Sequence, residues 1–76
     1  MAISLNQLCV MLEVAAPTAK ATPVPEQTQV IVTFTNRPDV EVALLTPLQQ
    51  YEMISGTLDL DTITGLIFSI RKLANV

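Results

Sequence analysis

A single cysteine, Cys9, and the lack of any histidine constrain this chain more than any other feature of its sequence. A chain of 76 residues buries only about 60% of its unfolded surface, so small domains often rely on disulfides or a structural metal. One cysteine cannot form an internal disulfide, and without histidine the common zinc ligand sets are missing. Half of the residues are hydrophobic and only 14% are charged. We therefore expect oligomerisation, or a permanent protein partner, to complete the fold.

The charges are few and scattered. Four basic residues stand against seven acidic ones, for a formal net charge of −3. A nucleic-acid-binding surface needs clustered cations, whereas Lys20, Arg37 and the pair Arg71–Lys72 are spread along the chain. The sequence therefore predicts no nucleic-acid partner, unless oligomer symmetry brings these cations into one basic patch.

The N-terminal residues do not have the pattern of a cleaved export signal. Such a signal has a basic start and an unbroken apolar core, but no Lys or Arg precedes Lys20, and Asn6, Gln7 and Glu13 interrupt the apolar run. No segment approaches the roughly 20 apolar residues of a membrane span. A single cysteine fits a reducing compartment. We expect a cytoplasmic protein, or a virion component if the chain is viral, with no membrane span.

Residues 1–16 are predicted to contain an N-terminal helix, regular over 5–16. Ser4 and Gln7 have the spacing of a capping box, and Pro17 ends the pattern. The helix is apolar over most of its circumference, which favours burial on more than one side. Two interpretations stay open: a central core helix, or a helix that docks on a neighbouring subunit. The apolar stripe consists of Leu5, Leu8, Cys9, Leu12 and Ala16, and Val10, Met11 and Val14 lie outside it.

Residues 17–27 are predicted to be an extended, proline-rich spacer. The stretch PTAKATPVP has three prolines and no apolar periodicity, which is typical of polyproline-like segments. Such a spacer is long enough to carry the N-terminal helix away from the rest of the chain.

Residues 28–76 begin with a predicted two-stranded β-hairpin. TQVIVTF and VEVALL are rich in β-branched residues and flank the turn-type cluster TNRPD. Pairing Phe34 with Val40 across a five-residue loop sets Val32 against Val42 and makes one face wholly apolar. Two strands alone are marginal. We therefore expect at least one outer edge to be covered, either by this chain or by strand addition from another.

A short helix is predicted after the hairpin, in TPLQQYEMISG. Thr46 is its expected N-cap, with Gln49 completing a capping box, and Gly56 suits the left-handed position at its end. The predicted apolar side carries Leu48, Tyr51 and Ile54. We interpret Tyr51 as a half-buried core residue, with a contact residue as the alternative.

The last helix is predicted to begin near Asp59 or Asp61 and to run to about Ala74. It is amphipathic, with acidic residues at its start and Arg71 and Lys72 at its end, as the helix dipole favours. Gly65 disfavours helix by about 1 kcal/mol relative to Ala, and with Ser69 it forms a small-residue patch. This patch predicts close approach of either the N-terminal helix or the same helix in a second subunit. Phe68 lies off the main stripe, which consists of Ile63, Leu66, Ile67, Ile70 and Leu73.

The sequence offers little for catalysis. Nucleophilic catalysis needs a base beside the nucleophile, and Cys9 lies on an apolar helix face without a neighbouring cation, as an inert core thiol would. The carboxylates Asp59 and Asp61 are interpreted as N-cap and first-turn charges rather than as a cation site. No glycine-rich phosphate loop is present, because Gly56 and Gly65 precede no Lys-Ser/Thr pair. We expect neither enzymatic activity nor a cofactor or metal.

The pattern predicts a single α+β domain: N-terminal helix, extended spacer, β-hairpin, short helix and C-terminal amphipathic helix. We expect it to bury its surplus apolar surface in an oligomer. The predicted function is a structural or assembly protein that acts through protein contacts, as a homo-oligomer or as a minor subunit of a larger complex, cellular or viral. The alternative is a regulator or inhibitor that binds one target by its hairpin edge or an apolar helix face. Expected interface residues are Leu5, Leu8, Val10, Met11, Val14, Ile31, Leu45, Tyr51, Gly65 and Phe68.

Overall fold

The computed structural model describes residues 3–75 and shows a mixed α+β fold with a three-stranded antiparallel sheet in the order β1-β2-β3. The elements are α1 (Leu5–Ala15), β1 (Ala19–Val24), a short 3-10 turn (Pro25–Gln27), β2 (Gln29–Phe34), β3 (Arg37–Ala43), α2 (Pro47–Ser55) and α3 (Leu60–Ala74). The α+β class and the three helices are as the sequence predicts, but the sheet has three strands instead of two.

Each helix begins at a residue whose side chain caps it. Ser4 and Thr46 each accept a hydrogen bond from the backbone N–H of the glutamine three residues on, and that glutamine's side chain accepts one in return from the cap's backbone N–H. Asp59 caps α3 through the N–H of Thr62. Helix α2 ends at Gly56, which is left-handed at φ 72°. These caps satisfy backbone groups that have no partner inside the helix, and all four were predicted.

The segment predicted as an extended spacer is extended, but its residues Ala19–Val24 form β1, which pairs antiparallel with β2. The prolines do not prevent this. Pro23 lies opposite Val30 in an edge strand, where a residue without an N–H is tolerated if the missing donor would point outward. Helix α1 is therefore not carried away from the domain, and it packs on β1. One outer edge of the predicted hairpin is therefore covered by this chain itself, because β1 pairs with β2.

The outer edge of β1 has its donors engaged within the chain. The Ala19 N–H donates to the Ala16 carbonyl oxygen at 2.9 Å, and the Ala21 N–H donates to the Glu13 carboxylate at 2.9 Å. Pro23, the next residue whose backbone faces this side, has no N–H. An incoming strand would therefore find few free donors along β1.

The register of β2 and β3 is partly as predicted. Val32 pairs with Val42 and Thr33 with Glu41. Phe34 pairs with Arg37, however, and not with Val40, because an irregularity between Thr33 and Phe34 shifts the register. Strand β3 therefore begins inside the predicted five-residue loop, and only a tight turn at 35–36 connects the strands.

The core lies between one face of the sheet and a layer formed by α1 and α3. Helix α1 contacts β1 and β2, and α3 packs beside α1. The opposite sheet face is largely open, with Lys20, Thr22, Glu41 and Ala43 exposed. The largest fully buried side chains are those of Leu8, Leu12, Val30, Val32, Ile63 and Ile70.

Gln29, the first residue of β2, is the one buried polar residue of the described core. Its side-chain oxygen accepts hydrogen bonds from the N–H groups of Val30 and Leu45, and its amide nitrogen donates to the Leu45 carbonyl oxygen at 2.9 Å. The side-chain amide of Gln29 thus bonds the backbone of Leu45 as a main-chain amide would, at the end of the β2–β3 ladder. This fixes where the chain leaves β3 and turns into α2.

Candidate interaction surfaces

Seven large hydrophobic side chains of the described chain are between 56% and 76% exposed. Every one of them lies on a helix. Contiguous exposed apolar patches mark surfaces that bind other molecules, so these side chains are candidates for contact with a partner. The seven are Val10 and Val14 on α1, Leu48, Tyr51 and Ile54 on α2, and Leu60 and Phe68 on α3.

Helix α2 turns its apolar side outward. Leu48, Tyr51 and Ile54, the predicted apolar side, are all exposed, and α2 has no buried residue. Met53 packs against the core from the other side of the helix, and Gln50 donates to the Gln27 carbonyl oxygen at 3.2 Å. The core interpretation of Tyr51 is therefore wrong. Helix spacing identifies an apolar stripe but cannot say which side of a short helix docks.

The other predicted interface residues fall into three groups. Leu8 and Leu45 are buried in the core of this chain and are not accessible to a partner. Leu5, Met11 and Ile31 are partly buried. Val10, Val14, Gly65 and Phe68 are exposed.

Helix α1 is buried on one side only. Leu8, Cys9 and Leu12 face the core, while Val10 and Val14 point away from the sheet. The expectation of burial on more than one side is not met within the single chain.

Gly65 lies on the outward side of α3. Beyond its own helix, no atom of the described chain lies within 4 Å of the place where a Cβ would stand. The predicted close approach of the N-terminal helix at Gly65 is therefore wrong. The second alternative, approach of α3 from another subunit, stays a prediction.

The outward side of α3 is uncharged through its middle. The hydroxyl of Thr64 donates to the Leu60 carbonyl oxygen at 2.9 Å, and that of Ser69 donates to the Gly65 carbonyl oxygen at 3.0 Å. Asp61 lies in the first turn and Arg71 and Lys72 in the last turn. The face therefore has an acidic end, a basic end and a weakly polar centre.

The outer edge of β3 is the second candidate surface. The Leu44 N–H donates to the Val30 carbonyl oxygen at 2.9 Å, so the backbone groups of Glu41 and Ala43 point away from β2 by strand alternation. β3 is the last strand of the sheet. Its outward groups are thus placed for pairing with an added strand.

Two titratable groups have shifted pKa values, and neither lies beside a catalytic partner in the described chain. Burial, with a smaller effect of the Glu13 charge, raises the pKa of the Cys9 thiol, which keeps it protonated and unreactive. Hydrogen bonds from the side chain and backbone of Thr62 lower the pKa of Asp59. Asp59 is the N-cap of α3 and Asp61 is in its first turn, as their interpretation as cap charges predicts.

Residues 3–75 contain neither a group of metal ligands nor a membrane-spanning helix. No three acidic or cysteine side chains come together as metal ligands. No helix there has the length and hydrophobicity needed to cross a membrane.

Comparison of the chain with protein-family models, curated proteins and solved structures finds no significant match. Sequence reasoning missed Leu48, Ile54 and Leu60 as exposed positions. Leu60 carried no usable signal, because its spacing from Ile63 and Ile67 groups it with the apolar stripe of α3.

Proposed function

We propose that this chain is a small non-catalytic structural or assembly protein. It acts through protein–protein contacts, as a homo-oligomer or as a minor subunit of a larger complex, cellular or viral. The observation that carries the proposal is the outward apolar side of α2, where Leu48, Tyr51 and Ile54 are all exposed. A helix of nine residues is marginal in water without packing, so a surface that covers this side would stabilise α2 as well as bury apolar area.

The test is light scattering coupled to size exclusion, over about a hundredfold range of protein concentration, because association makes the apparent mass concentration-dependent. We expect a discrete multimer that persists on dilution. The triple variant Leu48→Gln, Tyr51→Gln and Ile54→Gln measures the contribution of α2, and Glu52→Gln is the control change to glutamine on the same helix. A wild-type chain that is monomeric over the whole range would contradict self-assembly.

The second candidate function is that of a regulator that binds one target protein by strand addition. The outward backbone of β3 favours it. Ala43→Pro removes an outward N–H while leaving the donors that face β2. A target whose binding survives Ala43→Pro in a folded variant does not use this edge.

A further inference from the structure

We propose that α3 forms an antiparallel, twofold-symmetric contact with α3 of a second copy of this chain, with Asp61 of one copy against Arg71 and Lys72 of the other. The inference rests on the self-association proposed above and adds to the α2 side a second contact surface, on α3. In the first place it explains the distribution of charge along α3. The helix has Asp59 and Asp61 at one end, Arg71 and Lys72 at the other, and no charged residue between them.

Only the antiparallel direction makes these ends complementary. In a parallel pair, acidic ends would meet acidic ends and basic ends would meet basic ends, and like charges repel. In an antiparallel pair both ends bring opposite charges together, and the helix dipoles also oppose each other. A twofold axis beside Leu66 lies equally far along the helix from Asp61 and Arg71. A self-complementary surface of this kind is what a closed dimer needs.

The centre of the outward side of α3 can be desolvated at little cost. Thr64 and Phe68 lie on the side of α3 opposite the buried Leu66, at equal distances from it along the chain. The hydroxyls of Thr64 and Ser69 already donate to carbonyls of their own helix. Removing water from them therefore leaves no donor without a partner.

Gly65 leaves space on the outward side of α3 for close approach of a second helix. It makes no contact that requires a glycine within its own chain, since the position of its Cβ is open, and its φ is not in the left-handed region. A glycine inside a helix is disfavoured relative to Ala, so a second helix that approaches closely at this point gives the residue a role. In the antiparallel pair the Phe68 ring of one copy lies over the Thr64 and Gly65 side of the other.

The C-terminal end of α3 also has a depression that could hold Leu60 of the second copy. An open depression is lined by Phe68, Arg71, Lys72 and Asn75. The antiparallel register brings Leu60 of the second copy, which is exposed in the single chain, to this depression. Each copy thus contributes one leucine to one depression of the other.

The neighbouring helix enlarges the contact. A stable dimer buries about 800 Å² on each partner, which is more than a single face of α3 provides. Helix α1 packs beside α3, and its Val10 and Val14 point away from the sheet, as Phe68 does. The outer surface of the helix layer therefore extends the apolar centre beyond α3.

The first test compares the mass of wild type with that of Asp61→Lys by light scattering at matched concentrations. Asp39→Lys makes the same charge change on β3, and circular dichroism checks that each variant is folded. We expect a wild-type dimer, at least a tenfold weaker dimer for Asp61→Lys, and no change for Asp39→Lys. A folded Asp61→Lys variant that dimerises like wild type would overturn the contact while leaving self-association intact. A monomeric wild type would overturn both.

The second test determines direction by disulfide formation. Asp61→Cys and Lys72→Cys chains are oxidised separately and as a mixture, with wild type as the control for the buried Cys9. The antiparallel pair predicts cross-linking only in the mixture, because at about 1.5 Å per residue the two copies of position 61 are about 15 Å apart along the helix and those of position 72 about 18 Å. Cross-linking within either pure variant, and not preferentially in the mixture, would overturn the proposal.

Discussion

Thr28 is the one described non-glycine residue with a positive φ, at φ 48° and ψ 54°. It lies between the 3-10 turn and β2, where the chain reverses from β1. A β-branched residue is unfavourable in the left-handed region, by about 1–2 kcal/mol. The tight β1–β2 connection therefore holds the Thr28 backbone in a conformation that the threonine side chain disfavours.

Thr28→Asn should raise the free energy of unfolding by about 1 kcal/mol, because asparagine tolerates the left-handed conformation. In a domain of this size that corresponds to a rise of about 4–8 °C in Tm. Thr28→Val retains the β-branch and should give no such gain. Thermal unfolding followed by circular dichroism measures both, and equal Tm values for the asparagine and valine variants would show that the turn is not strained.

Asp59 should make the stability depend on pH in the acidic range. Its pKa in the folded chain lies below the ordinary 3.8, so its ionised form favours the folded state. The stabilisation is complete above the unfolded pKa and is lost as pH falls through the folded pKa. Urea midpoints between pH 2 and pH 7 should therefore fall less steeply with acid for Asp59→Asn than for wild type. Thr62→Val, which lacks the hydroxyl, should reduce the same slope, and an unchanged slope in both variants would contradict the assignment.

At the scale of single elements, the two described glycines inside or beside helices predict opposite outcomes. Gly65→Ala should stabilise the monomeric chain by about 1 kcal/mol, because alanine is the better helix former and its Cβ meets open space. Gly56→Ala should destabilise it by a similar amount, about 1 kcal/mol, because its φ of 72° disfavours a Cβ. Chemical denaturation at a concentration where the chain is monomeric measures both. A destabilised Gly65→Ala monomer would mean that α3 is packed at this position.

The helices were predictable from sequence because their ends are set locally. Ser4, Thr46 and Asp59 each lie within three residues of the backbone groups that they cap. Strand β1 was not predictable in this way, since its alanines and its proline do not form a β-branched pattern. The alternation of buried Ala19 and Ala21 with exposed Lys20 and Thr22 was the available signal. This alternation of alanines with polar residues indicates a strand only when α1 is known to cover the alanine side.

At the scale of the whole molecule, the fold depends on one apolar sheet face. Val32→Glu should abolish cooperative folding, because Val32 is fully buried at the centre of that face. Thr33→Glu places the same charge on the neighbouring residue, whose side chain points to the open face, and should leave a folded protein. Circular dichroism and thermal melting distinguish the two. A cooperatively melting Val32→Glu variant would contradict the strand register.

The core was largely predictable, as were several exposed positions on α1 and α3, but the outward side of α2 was not. Val32 and Val42 could be paired because a register slip would set valines against threonines. Which side of α2 faces solvent depends on where the chain leaves β3, and that is set by the long-range bonds of Gln29 to Leu45. The sequence contains no local sign of this contact.

The two sheet edges together set a limit on how these chains can aggregate. One edge is closed by Ala16, Glu13 and Pro23, and the other, along β3, is open. A fibre grows by edge pairing only if every added molecule offers a second free edge to the next. Two copies that join through β3 would expose only their closed edges. Edge pairing by this chain therefore stops at two, so a high apolar content can coexist with a finite assembly.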